Sequence, residues 1–143
     1  MCQGTRAHQL AMYVVFEGPL SMVSDYPEIL DHLPEMEFID KVPTVWDETK
    51  VIDGDPSKFV TIARRQGADW FLGAMTNLDS RDMDIPLNFL GQGEFDTQIF
   101  ADGADADTIP THVTISRKQV KTSDHITLHL APGGGAAIIF KRK

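Results

Sequence analysis

Met83, Ile85, Leu87 and Phe89 fall at every second position, alternating with Asp84, Pro86, Asn88 and Leu90. A period of two is met by an extended strand with one face buried and the other mostly wet, because successive side chains point to opposite sides of the pleat. Pro86 cannot donate a ladder hydrogen bond, which predicts an edge strand. The same beat returns along the rest of the chain. Residues 58–64 and 70–76 predict two strands joined by a turn over 66–69. Phe95, Thr97 and Ile99 share one face of a strand over 94–101. Val113 and Ile115 are expected to point inward on the next strand, and Ile126, Leu128 and Leu130 on the one after. Pro132 and three glycines turn the chain into a last strand over 136–141. About eight short strands at close spacing predict an antiparallel sandwich from residue 44 to 143. Phe59 or Val60, Leu72, Ile85, Leu87, Ile99, Ile115 and Leu128 are expected in one core.

Before Pro43 the pattern is different. Thr5 suits a helix cap, and Ala7, Leu10, Ala11, Val14 and Val15 repeat at helical spacing. Met12, Tyr13 and Phe16 widen the apolar face almost all the way round, as in a helix buried on most sides. Gly18 and Pro19 are expected to stop it. Residues 20–23 read as a short strand ending at Ser24 and Asp25. A second helical stretch over roughly 34–41 offers Met36, Phe38, Ile39 and Val42. A helix this apolar, with no sheet of its own to cover, predicts that residues 1–42 pack poorly and that their removal improves solubility.

The 143 residues are 42% hydrophobic, enough for one core, and carry a formal net charge of −8. An acidic surface disfavours nucleic acid. No apolar run approaches the roughly 20 residues of a membrane span. The run over 10–16 lacks a small-residue cleavage site, so it does not read as a signal peptide. Cys2, the single cysteine, excludes an internal disulfide.

No catalytic or metal-binding set stands out. His125 and His129 have a zinc-chelating spacing for a helix, but on a strand four residues span roughly 13 Å, which separates the rings. The acids at 102, 105 and 107 miss the ligand positions of a calcium loop. The glycines at 133–135 lack the lysine of a phosphate loop. Two places suit a sugar. Ser24 and Asp25 end a strand, where a (β/α)8 barrel would present them to its active site; Asp25 could equally cap the turn before Pro27. Trp46 beside Asp47 and Glu48 offers a ring face and carboxylates; the same residues suit a joint between modules, with Trp46 packed and Asp47 capping.

Residues 4–12, 18–22, Asp25, Pro27, 38–39 and 43–49 resemble the end of the catalytic barrel of glycoside hydrolase family 97, and residues 63–65, Trp70, Gly73, 75–76 and 130–135 resemble the family's sequence beyond that barrel. Residues 19–25 also look like the last barrel strand of related α-galactosidases. The resemblance implies a mainly β chain: residues 1–43 as the last helices and strand of a (β/α)8 barrel, and residues 44–143 as a carboxy-terminal β-sandwich with an accessory or oligomerisation role. It implies a parent enzyme that cleaves α-glucosidic or α-galactosidic bonds with calcium in its active site, whose acid, base or nucleophile and calcium ligands precede Met1. On this view the chain contributes no catalytic and no metal residue, binds no calcium itself and is inactive alone; Ser24, Asp25, Trp46 and Asp47 are its candidate substrate contacts. Expected partners are the α-linked oligosaccharide, the missing barrel and amino-terminal domains, and a second copy of the enzyme. A periplasmic or secreted parent is compatible with this; a stand-alone sandwich for oligomerisation or carbohydrate binding is the alternative.

Overall fold

The computed structural model describes residues 4–16, 28 and 31–143. Two helices, α1 (Arg6–Val15) and α2 (Met36–Lys41), precede eight strands: β1 (Glu48–Asp55), β2 (Phe59–Gln66), β3 (Asp69–Thr76), β4 (Arg81–Pro86), β5 (Glu94–Asp102), β6 (Val113–Lys121), β7 (His125–Leu130) and β8 (Gly135–Arg142). Six strands form one sheet in the order β1-β2-β3-β8-β5-β6, and β4 pairs with β7 in a second. Every pairing is antiparallel. The fold is mainly β, an antiparallel sandwich as the alternation requires.

The sandwich interior lies between the two sheets. Leu72, Ile99, Ile138 and Phe140 from the large sheet meet Met83, Ile85, Leu128 and Leu130 from the small one. Phe89 sets its ring edge-on to Trp70 (5.3 Å between centroids) and to Phe140 (5.7 Å). Phe59, Leu72, Ile85, Leu87, Ile99 and Leu128 belong to this core as expected. The strand containing Pro86 lies at an edge, but it ends there. Leu87, Phe89 and Leu90 are buried in the adjoining turn, with the Leu90 N–H on the Leu87 carbonyl (3.1 Å). Leu90, expected on the wet face, is enclosed because a turn has no period of two.

Ile115 and Val113 correct the sequence reading. They point away from the sandwich interior, into a second apolar cluster with Phe71, Phe100, Ala137, Ile139, Leu10, Val14 and Phe38. The large sheet is covered on both faces: β4 and β7 on one, the helices on the other. β8 accordingly buries six residues in a row, Gly135 to Phe140. Strand β1 was not foreseen; its bulge between Val51 and Asp53 and its largely exposed residues hide the alternation.

Helix α1 also overturns an expectation. It has a sheet to cover, the outer face of β2, β3 and β8, and buries Ala7, Leu10, Ala11, Val14 and Val15 there. Burying Leu10, Val14 and Val15 contributes about 1.5–3 kcal/mol each before chain entropy is counted. Its opposite side is open: Met12 is 39% exposed and Phe16 56%. Close approach depends on Gly73, where an added Cβ would stand 2.7 Å from the Ala11 carbonyl oxygen and 3.0 Å from a Val15 methyl. The Thr5 hydroxyl accepts the His8 N–H (3.1 Å), the expected cap. The helix ends at Val15 with the Phe16 N–H on the Met12 carbonyl. Gly18, Pro19, the strand over 20–23, Ser24 and Asp25 lie outside the described residues.

Candidate functional site

Among the described residues the helices meet the large sheet at three polar attachments, and Trp46 and Asp47 lie at one of them, while Ser24 and Asp25 lie outside the described residues. At the end of α1, Arg64 of β2 is 3% exposed. Its Nε donates to the Val14 carbonyl (2.5 Å), its Nη2 to the Val15 carbonyl (3.1 Å) and its Nη1 to the Thr49 hydroxyl (3.2 Å). The last carbonyls of a helix have no partner within it and carry the negative end of its dipole, so a buried cation there is matched by acceptors. Trp46 stands beside the guanidinium (6.0 Å to the ring centroid) and sets its half-buried ring edge-on to Phe71 (5.4 Å). Asp47 accepts the Gly67 N–H (2.7 Å) across the β2–β3 turn and lies 3.8 Å from Arg65. Glu48 pairs with Arg65 at 3.2 Å, which holds its carboxyl below the usual range. Within the described residues Trp46 packs on Phe71 and Asp47 accepts across the β2–β3 turn.

At the start of α1, Asp102 closes β5. Its Oδ2 accepts the backbone N–H groups of Ala131 (2.9 Å) and Gly135 (3.0 Å). Burial pushes the carboxyl up, against the pull of the Thr5 hydroxyl and the two amides. The turn it holds reaches the helix: Gly133 accepts the Thr5 N–H (3.0 Å), and His8 donates from Nδ1 to the Gly134 carbonyl (3.0 Å). The helix backbone passes so close that a Cβ on Gly135 would stand 2.7 Å from the His8 Cα. Sequence reading placed Asp102 in an acidic loop. The one signal for its structural role was its position directly after an apolar strand.

Helix α2 is held through Glu37, which accepts from Lys41 (2.5 Å), Gln98 (2.8 Å) and Arg117 (3.3 Å); the Lys41 and Gln98 hydrogen bonds keep its carboxyl below the usual range. Glu35, just before the helix, is buried and pairs with Arg6 of α1 at 2.9 Å. Beside α2 the outer face of the sheet opens into a groove of about 650 Å³ floored by Phe71 and Ile139. Its carboxylates are engaged: Glu37 as above, Asp69 with the Arg142 N–H (3.2 Å), and Asp96 3.8 Å from Lys143. A glycosidase needs one carboxyl kept protonated as the acid and a second poised as base or nucleophile. Glu37 is shifted the wrong way for an acid, and Asp102, shifted the right way, is bound to backbone amides at the other end of α1.

His125 and His129 stand on the wet face of β7, each beside an aspartate of β4: His129 with Asp82 (2.6 Å) and His125 with Asp84 (3.4 Å). His112 pairs with Asp105 in the β5–β6 loop. Among the described residues no three His, Cys, Asp or Glu side chains group as metal ligands would. The donor set among these residues does not fit a calcium centre. Among these residues no helix is long and apolar enough to cross a membrane.

The described residues define a two-sheet antiparallel sandwich with helices pinned to its outer face and its groove carboxylates tied in ion pairs and backbone hydrogen bonds. The chain belongs to glycoside hydrolase family 97: residues 45–141 match the family's carboxy-terminal model, described as "Glycosyl-hydrolase 97 C-terminal, oligomerisation". It is 39% identical over 142 residues to a retaining alpha-galactosidase of Bacteroides thetaiotaomicron, a match covering 99% of this chain and 22% of that protein. A family 97 enzyme of Pseudoalteromonas sp. strain K8, solved in complex with acarbose, is similar at a TM-score of 0.93 with 39% identity, over 99% of this chain and 23% of that one. A solved beta-arabinopyranosidase matches at a TM-score of 0.78 with 28% identity, over 96% of this chain and 21% of that one. The chain therefore spans less than a quarter of the length of these relatives.

Proposed function

We propose that this chain is the carboxy-terminal part of a family 97 glycoside hydrolase that cleaves α-galactosidic or α-glucosidic bonds, with the catalytic carboxylates supplied by residues outside it. The observation that carries this is the 39% identity that runs through 99% of the chain yet reaches only 22% of a relative named as a retaining alpha-galactosidase. The tied carboxylates of the groove support the same reading. Residues 1–43 are then the closing piece of the (β/α)8 barrel, and residues 44–143 the accessory sandwich through which copies of the enzyme associate. On this reading the active-site calcium is held by carboxylates outside this chain, as the resemblance to the family implies. Ser24 and Asp25 reach the sugar directly, while Trp46 and Asp47 shape the rim of its pocket through Phe71 and the β2–β3 turn. Retention is the stereochemical outcome proposed, in line with the Bacteroides relative named as retaining.

The test compares the purified chain with the protein read from the gene extended upstream of the Met1 codon. Both receive p-nitrophenyl α-galactoside and α-glucoside with calcium. The extended protein should turn over one of them, lose activity on chelation and release the retained anomer first by NMR. The chain alone should give no product. Turnover by the chain alone that disappears on Asp25→Asn or Asp47→Asn would place the active site within it and end this reading.

A further inference from the structure

We propose that the groove beside α2 is a binding site for a neutral saccharide. It goes beyond the function proposed above and does not depend on it, because every group it uses lies on α2 and the large sheet. At about 650 Å³ the groove falls within the range of small-molecule sites. Its floor is laid out by strand register. Lys141 lies opposite Asp96, and Asp96 opposite Gln119. One row further along the strands, Phe71 lies opposite Ile139, Ile139 opposite Gln98, and Gln98 opposite Arg117. Residues directly opposite share a face of the sheet, so each row presents its side chains together. Three neighbouring strands spread Lys141, Asp96 and Gln119 over about 10 Å, the reach of two linked hexose rings. Their chemistry alternates: the ammonium only donates, the carboxylate only accepts and the amide does both, which suits a series of hydroxyls. Among the described residues the side chains of Lys141 and Gln119 have no hydrogen-bond or ion-pair partner. Asp96 is 57% exposed, with Lys143 no nearer than 3.8 Å. The second row is fixed instead. Gln98 donates to Glu37 (2.8 Å) and accepts from Lys41 (3.4 Å), and Arg117 donates to the same Glu37 (3.3 Å). That network holds α2 as a wall, while Phe71 and Ile139 give the floor an apolar strip for the C–H face of a sugar ring. Charge selects the class of ligand. The lining carries four cations against three carboxylates, so a phosphate or a polyamine would meet like charges beside its own partners, whereas neutral hydroxyls meet no such repulsion.

The test titrates the isotope-labelled chain with maltotriose, built on α-glucose, and with melibiose, which carries α-galactose, and follows the amides by NMR. With one or both sugars the amides of Asp96, Gln98, Gln119 and Lys141 should shift saturably in the millimolar range, with those of Ile85 and Leu128 in the sandwich interior unmoved. Gln119→Ala and Lys141→Ala should each weaken binding about fivefold or more, the loss of one hydrogen bond. Both side chains are exposed, so each variant should melt within about 1 °C of wild type, which separates a lost contact from a lost fold. Thr127→Ala, on the wet face of β7, should bind as wild type does. The absence of a saturable shift with either sugar would overturn the proposal, as would equal shifts with glycerol or tighter binding of inorganic phosphate. Sugar binding that both alanine variants leave unchanged would overturn it as well. So would a chain that sediments as a dimer and becomes monomeric on Gln119→Arg, because a second copy would then occupy the groove.

Discussion

Replacing Gly73 by alanine tests how α1 sits on the large sheet. The new methyl would stand 2.7 Å from the Ala11 carbonyl oxygen, 3.0 Å from a Val15 methyl and 3.1 Å from the Val14 Cβ. Ordinary van der Waals contact begins near 3.4 Å, so something must yield by several tenths of an ångström. The sheet cannot, because Gly73 lies in a central strand opposite Ile62 on one side and Ala137 on the other. The helix must lift instead. A gap of 0.5–1 Å forfeits about a quarter to a half of the dispersion attraction across it, and the contacts loosened are those of Leu10, Val14 and Val15. Against this stands the gain of alanine over glycine in a strand interior, about 0.5–1 kcal/mol. The net loss should be about 1–3 kcal/mol, the usual cost of overpacking. For a chain of this size that lowers Tm by roughly 3–10 °C. Thermal unfolding monitored by circular dichroism measures it. Gly54→Ala is the control, since its Cβ would meet nothing nearer than 3.6 Å, and it should unfold at or slightly above the wild-type temperature. A Gly73→Ala protein as stable as wild type would refute the close seating of α1.

The polar attachments lead to further expected outcomes. Asp102→Ala strands the N–H groups of Ala131 and Gly135 and should cost about 2 kcal/mol, or roughly 4–8 °C in Tm. The Asp102 carboxyl titrates above its ordinary 3.8 when folded; as pH rises past 3.8 the unfolded chain loses this proton first, so its contribution to stability is greatest below 3.8 and falls as pH climbs through the folded value. Asp102→Asn should abolish that fall, and equal pH slopes in the two proteins would exclude Asp102 as its source. Trp46→Ala should lower Tm by several degrees and Trp46→Phe by much less, because the ring packs on Phe71 by its edge; equal losses in differential scanning fluorimetry would argue against packing. His125→Ala and His129→Ala should each move Tm by less than about 1 °C, since exposed ion pairs contribute little, and zinc should not shift the melting of the wild type; a zinc-induced rise would reveal a site across β4 and β7.

The sequence by itself determined the strands of the sandwich. Alternation at 83–87, 95–99 and 126–130 permits only an extended chain with one face inside, and those side chains do meet in the interior. Pro86 determined an edge because it lacks an N–H. Thr5 and the 3.6-residue beat behind it determined a capped helix. The 43–49 stretch and the glycine-rich turn were distinctive enough to mark the family. What the sequence could not decide is which surface each apolar face meets. Val113 and Ile115 read the same whether they point to the small sheet or to the helices, since period two distinguishes faces without naming their neighbours. The helix read as lacking a sheet because the residues it covers, Phe71, Phe100, Ala137 and Ile139, lie on strands whose opposite face is also buried. Asp102 read as part of an acidic loop, and no sequence signal marked Arg64 or Glu35 for burial. Burial was decided by acceptors and donors that only folding brings near: two carbonyls fifty residues away, two amides about thirty away, and one guanidinium at the start of the chain. A buried charge is tolerated only where such partners converge, and convergence over those separations is a property of the tertiary structure.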